Sequence, residues 1–216
     1  MNITRRNALK ITAAASTAGM VGLSSPAFSA EGDFYNIESL MNPTGWTDIG
    51  VLGSEDAPAT IIEYSSPTCP HCASFHTDTM PEVTKQLIDT GKTQFILRPF
   101  VRNVLDAVVF MLAEAAGDEG YNEVVAAYFA TQNVWARSDT PRDALMVVAL
   151  QLGFTEESFE KALTNQELFA GMETARDQAL NEFDLTGTPT FYVNGKMLAG
   201  NKTVDQLGTE VDALQV

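Results

Sequence analysis

The chain has 216 residues and carries 28 acidic against 13 basic side chains, a net charge of −15 at pH 7. A surface of that sign is repelled by phosphate backbones and anionic lipid, so nucleic-acid binding and adsorption to anionic membranes are set aside. The length suits one domain, or one domain with an insertion, and a core of that size needs no disulfide staples.

The first ten residues include Arg5, Arg6 and Lys10. A short, weakly apolar run follows from Ile11 to Leu23, and then Pro26-Ala27-Phe28-Ser29-Ala30. A basic start, a short apolar middle and small residues at the end predict a secretory signal peptide over residues 1–30, cut between Ala27 and Glu31. Arg5 and Arg6 with Leu9 and Lys10 behind them resemble a twin-arginine export signal. This leader holds no cysteine, so the expected product is soluble rather than lipid-anchored. Its removal leaves 28 acidic residues against 10 basic ones.

Residues 31–42 read as polar and irregular, and Trp46 to Leu52 as a first strand. Gly53 to Pro58 is a turn. Ala59 to Tyr64 is a short, β-branched apolar run, expected as a buried strand. Pro70 to Thr90 reads as a helix, kinked near Met80-Pro81 and ended by Gly91. Thr93 to Val101 is the next strand, which makes a right-handed parallel crossover. Helical spacing then dominates, with Leu105, Val108, Val109 and Leu112 in one stripe and Val124, Val125, Tyr128 and Phe129 in another. Further helices are expected from Pro141 to about Leu152, after Thr155, and from Gln166 to Phe183. Trp135 reads as core. Thr190 to Val193 and Lys196 to Leu198 flank Asn194-Gly195, a type I′ hairpin signal. A helix from Thr203 to Leu214 closes the chain.

The only two cysteines stand in Cys69-Pro70-His71-Cys72, where a strand gives way to a helix. A helix N-terminus offers free N–H groups and the positive end of the dipole, which favour a thiolate at Cys69. Pro70 suits the first turn, where its missing N–H costs nothing. His71 can add charge or a donor to the same sulfur. Cys72 lies about one turn deeper and is expected to be less exposed. This predicts that Cys69 attacks and is attacked, and that Cys72 resolves the mixed disulfide. A structural disulfide across two residues would remove little unfolded-state entropy. A metal site would have to crowd Cys69, His71, Cys72 and His76 onto adjacent turns, without the second ligand pair that closed zinc sites use. Haem attachment needs a His after the second Cys, and Ala73 is there.

The order of elements, the Cys-Pro-His-Cys motif after the second strand, and Thr188-Pro189-Thr190 before the hairpin together resemble the DsbA family of the thioredoxin superfamily. The match runs from about Asp48 to Leu214. It implies an α/β thioredoxin-like fold, formed by residues 31–101 and 186–216, with a helical domain, 102–185, inserted between the βαβ and ββα units. Thr188 and Pro189 match the family's cis-proline loop, which binds substrate peptide. Glu63, six residues before Cys69, matches a buried acid that relays a proton for Cys72. The usual lysine partner of that acid falls at Gln94, with Lys92 nearby. His76, four residues beyond Cys72, is expected to be partly exposed and structural.

The resemblance implies a monomeric periplasmic dithiol oxidase without cofactor or metal. Reduced or unfolded exported proteins would be its substrates, and a DsbB-like quinone-linked membrane oxidase would regenerate its disulfide. Thr188 stands where many such oxidases carry Val and isomerase relatives carry Thr. The alternatives are therefore a reductase or isomerase of the same fold, or an exported metal-binding module.

Overall fold

A computed structural model describes residues 31–213. The expected leader and its cut site lie outside the described residues. The sheet has four strands, β1 (Ala59–Ser65), β2 (Thr93–Pro99), β3 (Thr190–Val193) and β4 (Lys196–Ala199), in the order β2-β1-β3-β4. β1 and β2 are parallel, and the other two pairings are antiparallel. This is a thioredoxin-like α/β fold. β1 and β2 are buried along their whole length, which is why they read as near-continuous apolar runs rather than alternating ones.

The sheet has a core on each face. Ile61, Phe95 and Val193 pack with the helices that carry Cys69 and Cys72, whereas Ile62, Ile96 and Tyr192 pack with Leu40, Phe183 and Leu185. Side chains alternate along a strand, so Glu63 follows Ile61 onto the cysteine face.

Between β1 and β2 the helix is less regular than its sequence suggests. α2 (Pro70–Ser74) passes into a π turn at Phe75–Thr79, then α3 (Met80–Val83), then a second π turn at Thr84–Ile88. Pro81 has no N–H to give to the preceding turn, and the wide turn just before it absorbs the gap.

Five helices separate β2 from β3 in the chain: α4 (Val104–Ala130), α5 (Gln132–Trp135), α6 (Pro141–Gln151), α7 (Glu156–Ala162) and α8 (Gln166–Glu182). They follow α1 (Ile37–Met41) and precede α9 (Val204–Ala213). The two apolar stripes around Val108 and Val125 fall on α4, which breaks at Gly117, where φ is +75°. Thr155 caps α7 through a reciprocal pair of bonds with Ser158.

Two expectations fail at the N-terminal end. Trp46 to Leu52 is not a strand: only Leu52 bridges to Phe95. Gly45, Gly50 and Gly53 all have positive φ, and Gly50 exchanges its backbone bonds with the side chains of Asp118 and Asn122 on α4. Residues 31–42 are not irregular throughout. Asn36 caps α1, and Phe34 bridges to Lys196 beside the hairpin. At the hairpin itself Asn194 and Gly195 have φ of +45° and +92°, and a Cβ on Gly195 would meet the Tyr35 carbonyl at 2.5 Å.

Arg98 ties these layers together. Its side chain is 0 % exposed and bonds both carboxylate oxygens of Asp48, the Leu40 carbonyl and the Tyr64 hydroxyl. Asp48→Ala would leave that guanidinium buried without its counter-charge. The expected loss in urea denaturation is about 3–5 kcal/mol.

Candidate active site

β1 delivers the chain to residues 66–68, and Cys69 then caps α2 in an extended conformation, with φ −83° and ψ 119°. Pro70 occupies the first turn, and Ala73 N–H donates to the Cys69 carbonyl at 3.1 Å. The two cysteines are free thiols, with Cys69 3 % and Cys72 0 % exposed. The order agrees with one helical turn of depth, but the difference is small, because the cis Thr188–Pro189 loop covers Cys69. The Cys69 Sγ donates to the Thr188 carbonyl at 3.2 Å.

The two sulfurs have opposite electrostatics. A hydrogen bond from the Cys72 thiol, aided by Thr188 and by the backbone N–H groups of Cys72 and His71, brings the Cys69 pKa down to about 5 against the pull of burial. Burial pushes Cys72 well above its ordinary value. Its bond to Cys69 and the charge of Glu63 push the same way, while the Ser65 hydroxyl offsets them in part. His71 thus acts on Cys69 through its backbone N–H, and its ring is exposed. The buried Thr188 hydroxyl has no partner beside the neutral thiol, so it is a donor in reserve for the thiolate.

Glu63 is fully buried on the cysteine face. Neither residue at or near the family's lysine position reaches it: Gln94 bonds the Thr60 hydroxyl and Lys92 pairs with Asp212. Instead, His76 Nε2 lies 2.8 Å from one carboxylate oxygen. His76 is therefore neither solvated nor idle. Its side chain is 8 % exposed, and its ring stacks on Phe129 at 4.4 Å. Among the described residues no three His, Cys, Asp or Glu side chains gather closely enough to hold a metal ion.

Arg102 and Asn103 donate to the hydroxyls of Ser66 and Thr68 in the loop before Cys69, and two more residues, Asp106 and Gln132, brace it with no sign of it in the sequence. Asp106 is fully buried and accepts from the Ser66 hydroxyl at 2.9 Å, Thr68 N–H at 2.7 Å and Arg102 N–H at 3.0 Å. Gln132 donates to the carbonyls of Pro67 at 2.6 Å and Cys69 at 2.9 Å. Asn103 caps α4 and marks where that helix starts, but nothing local says that Asp106 reaches back to the loop. Gln132 carried no signal at all.

A fold of this kind, with a low-pKa cysteine at the start of the helix after the first strand, has what thiol–disulfide exchange requires. The family model described as thioredoxin matches residues 47–213, and the chain belongs to that thioredoxin family. A Rickettsia conorii relative named as a protein-disulfide oxidoreductase is 32 % identical, covering 75 % of this chain and 58 % of its own length. The chain thus spans about three-fifths of that relative. Disulfide bond formation protein D of Bacillus subtilis is 26 % identical, covering 75 % of each chain. Among solved structures, α-DsbA1 of Wolbachia pipientis aligns with a TM-score of 0.71 at 26 % identity, covering 76 % of this chain and 89 % of that one. BdbD of Bacillus subtilis, at 21 % identity, shares the fold with a TM-score of 0.70, covering 87 % and 99 %.

Thr188→Val removes the reserve donor. It is expected to raise the Cys69 titration, followed by thiolate ultraviolet absorbance, by about one pH unit. The depressed pKa also sets a stability slope. Cys69 titrates at about 5 when folded, against 9.0 for an ordinary thiol, so its contribution is fully present above about pH 9 and is lost as pH falls toward 5. Cys72 stays protonated across that window. The stability of the reduced form relative to the disulfide form, measured by urea denaturation, should therefore shrink on acidification.

Proposed function

We propose that this protein is an exported dithiol oxidase that introduces disulfides into other exported proteins through Cys69 and Cys72. The observation that carries this reading is the asymmetry of the two sulfurs. A substrate thiolate attacks Cys69 Sγ of the enzyme disulfide, and the Cys69–Cys72 bond breaks. Cys72 leaves and is protonated, because its burial disfavours the thiolate. A second substrate thiolate then attacks the substrate sulfur of the mixed disulfide. Cys69 departs as a thiolate already stabilised by the N–H groups of His71 and Cys72. Stabilising that thiolate stabilises the reduced enzyme, and so makes its disulfide oxidising.

The Thr188–Pro189 loop is the proposed platform for substrate backbone. Val104 and Val134, 70 % and 66 % exposed, follow the loop-bracing residues Asn103 and Gln132 closely in sequence and offer apolar surface for an unfolded chain. Such an enzyme needs reoxidation, and a DsbB-like quinone-linked membrane protein is the partner that this chemistry calls for. Residues 1–30 are read as the export signal and the periplasm as the destination. Among the described residues no helix is long and apolar enough to cross a membrane. A monomer, built as a thioredoxin-like unit with the helical segment 102–185 inserted, is the working form in this proposal.

Thr188 favours one competing reading, a reductase or isomerase. Equilibration of the mature protein in glutathione buffers separates the two. The expected potential lies near that of DsbA itself, about −120 mV, and well above the thioredoxin value of about −270 mV. A value at or below the thioredoxin level would replace the oxidase with a reductase.

A further inference from the structure

A thiol that must lose and regain a proton while fully buried needs a route to water. Cys72 is 0 % exposed, and so is Glu63, whose charge acts on the Cys72 sulfur. One oxygen of Glu63 is buried without a hydrogen-bond partner among the described residues, and the other meets His76 Nε2 at 2.8 Å. His76, at 8 % exposed, is the member of this series that reaches solvent. The groups facing its ring are few. β1 supplies Glu63, α4 supplies Phe129 and the π turn supplies Phe75. Cys72 stands on α2, with Cys69 as that helix's N-cap, and the charge of Glu63 acts on the Cys72 sulfur. Asp78, in the same turn as His76, is engaged by the hydroxyls of Ser74 and Thr77. Among the described residues no lysine or arginine pairs with Glu63 to fix its charge.

We propose that His76 is the proton outlet of the buried thiol, joined to Cys72 through the carboxyl group of Glu63. This rests on the thiol–disulfide chemistry proposed above and names how its buried half exchanges protons. When Cys69 is held in a mixed disulfide, the Cys72 thiol gives its proton to the free oxygen of Glu63. The Cys72 sulfur attacks Cys69 Sγ, a new Cys69–Cys72 bond forms, and the partner sulfur leaves with the electron pair. Glu63 passes a proton to His76 Nε2, and the other ring nitrogen releases one to water. In the opposite direction the same series carries a proton inward to the departing Cys72. His76 acts only through Glu63, so it is a positioning and relay residue.

The wide turn supports this assignment. His76 follows Cys72 by four residues, and the π turn over Phe75–Thr79 holds its ring between Glu63 and Phe129. Stacking on Phe129 fixes the plane of the ring, and with it the direction of Nε2.

The test is the release of glutathione from a Cys69–glutathione mixed disulfide, followed by quenching and mass spectrometry across a range of pH. His76→Gln can keep a hydrogen bond to Glu63 but cannot take up a proton. It is expected to slow glutathione release about a hundredfold near neutral pH, the lower end of the range for general acid–base catalysis. The deficit should close at alkaline pH, where hydroxide deprotonates Cys72 directly. The preceding step, attack of the Cys69 thiolate on oxidised glutathione, should be unchanged. Glu63→Gln should show the same deficit, and the double variant no more than either alone. Glu63→Gln also reads the relay if His76→Gln loses the fold. Release from His76→Gln at the wild-type rate at every pH would overturn the relay and leave the oxidase reading standing. So would fully additive losses in the double variant. A wild-type protein that never releases glutathione would sink the redox reading and the relay with it.

Discussion

The negative charge that Cys69 carries has to be held by neutral groups. The Cys72 thiol, the Thr188 side chain and two backbone N–H groups act on its sulfur, and no lysine or arginine is among them. Donors of this kind work only at hydrogen-bond distance and along narrow directions, unlike a cation, whose field is tolerant of position. The site therefore depends on where the loop at 66–68 ends and the helix begins. A shift of one ångström would turn a thiolate site into an ordinary buried thiol.

This explains the density of bonds around that loop. Asp106 gathers three donors from residues 66, 68 and 102, and Gln132 ties two carbonyls on the other side. Both braces come from the helical segment between β2 and β3, so that segment does more than cover one side of the sheet. It sets the entry angle of the chain into α2. Phe129, on the same long helix, orients His76. One helix thus touches both sulfurs indirectly, the first through the loop and the second through the Glu63–His76 pair.

Much of the frame was legible in the sequence because its signals are local. Cys69-Pro70 marks a helix start by cap geometry and a fixed φ. Asn194-Gly195 marks a hairpin by its tolerance of positive φ. Thr155 and Ser158 mark a helix by reciprocal capping. What was not legible joins distant positions. Trp46 to Leu52 looks like a strand until three glycines and the side chains of Asp118 and Asn122 claim its backbone. The position that matches the family's lysine holds Gln94, on the neighbouring strand, and the partner of Glu63 lies 13 residues along, on the helix. Asp106 and Gln132 reach across 38 and 65 positions to the loop, and no periodicity encodes such contacts.

The near-complete cover over Cys69 has a consequence for what the site can accept. In-line attack on a sulfur needs the incoming sulfur to approach along the breaking bond. With only 3 % of Cys69 open and its sulfur held at 3.2 Å from the Thr188 carbonyl, the room for that approach is small. A cysteine fixed on a rigid, convex surface could bring its sulfur to so covered a site only with difficulty. A cysteine on a slack, extended segment could thread in. Discrimination between folded and unfolded visitors would then be a matter of mechanical compliance, imposed by the depth of the sulfur without any sequence being read.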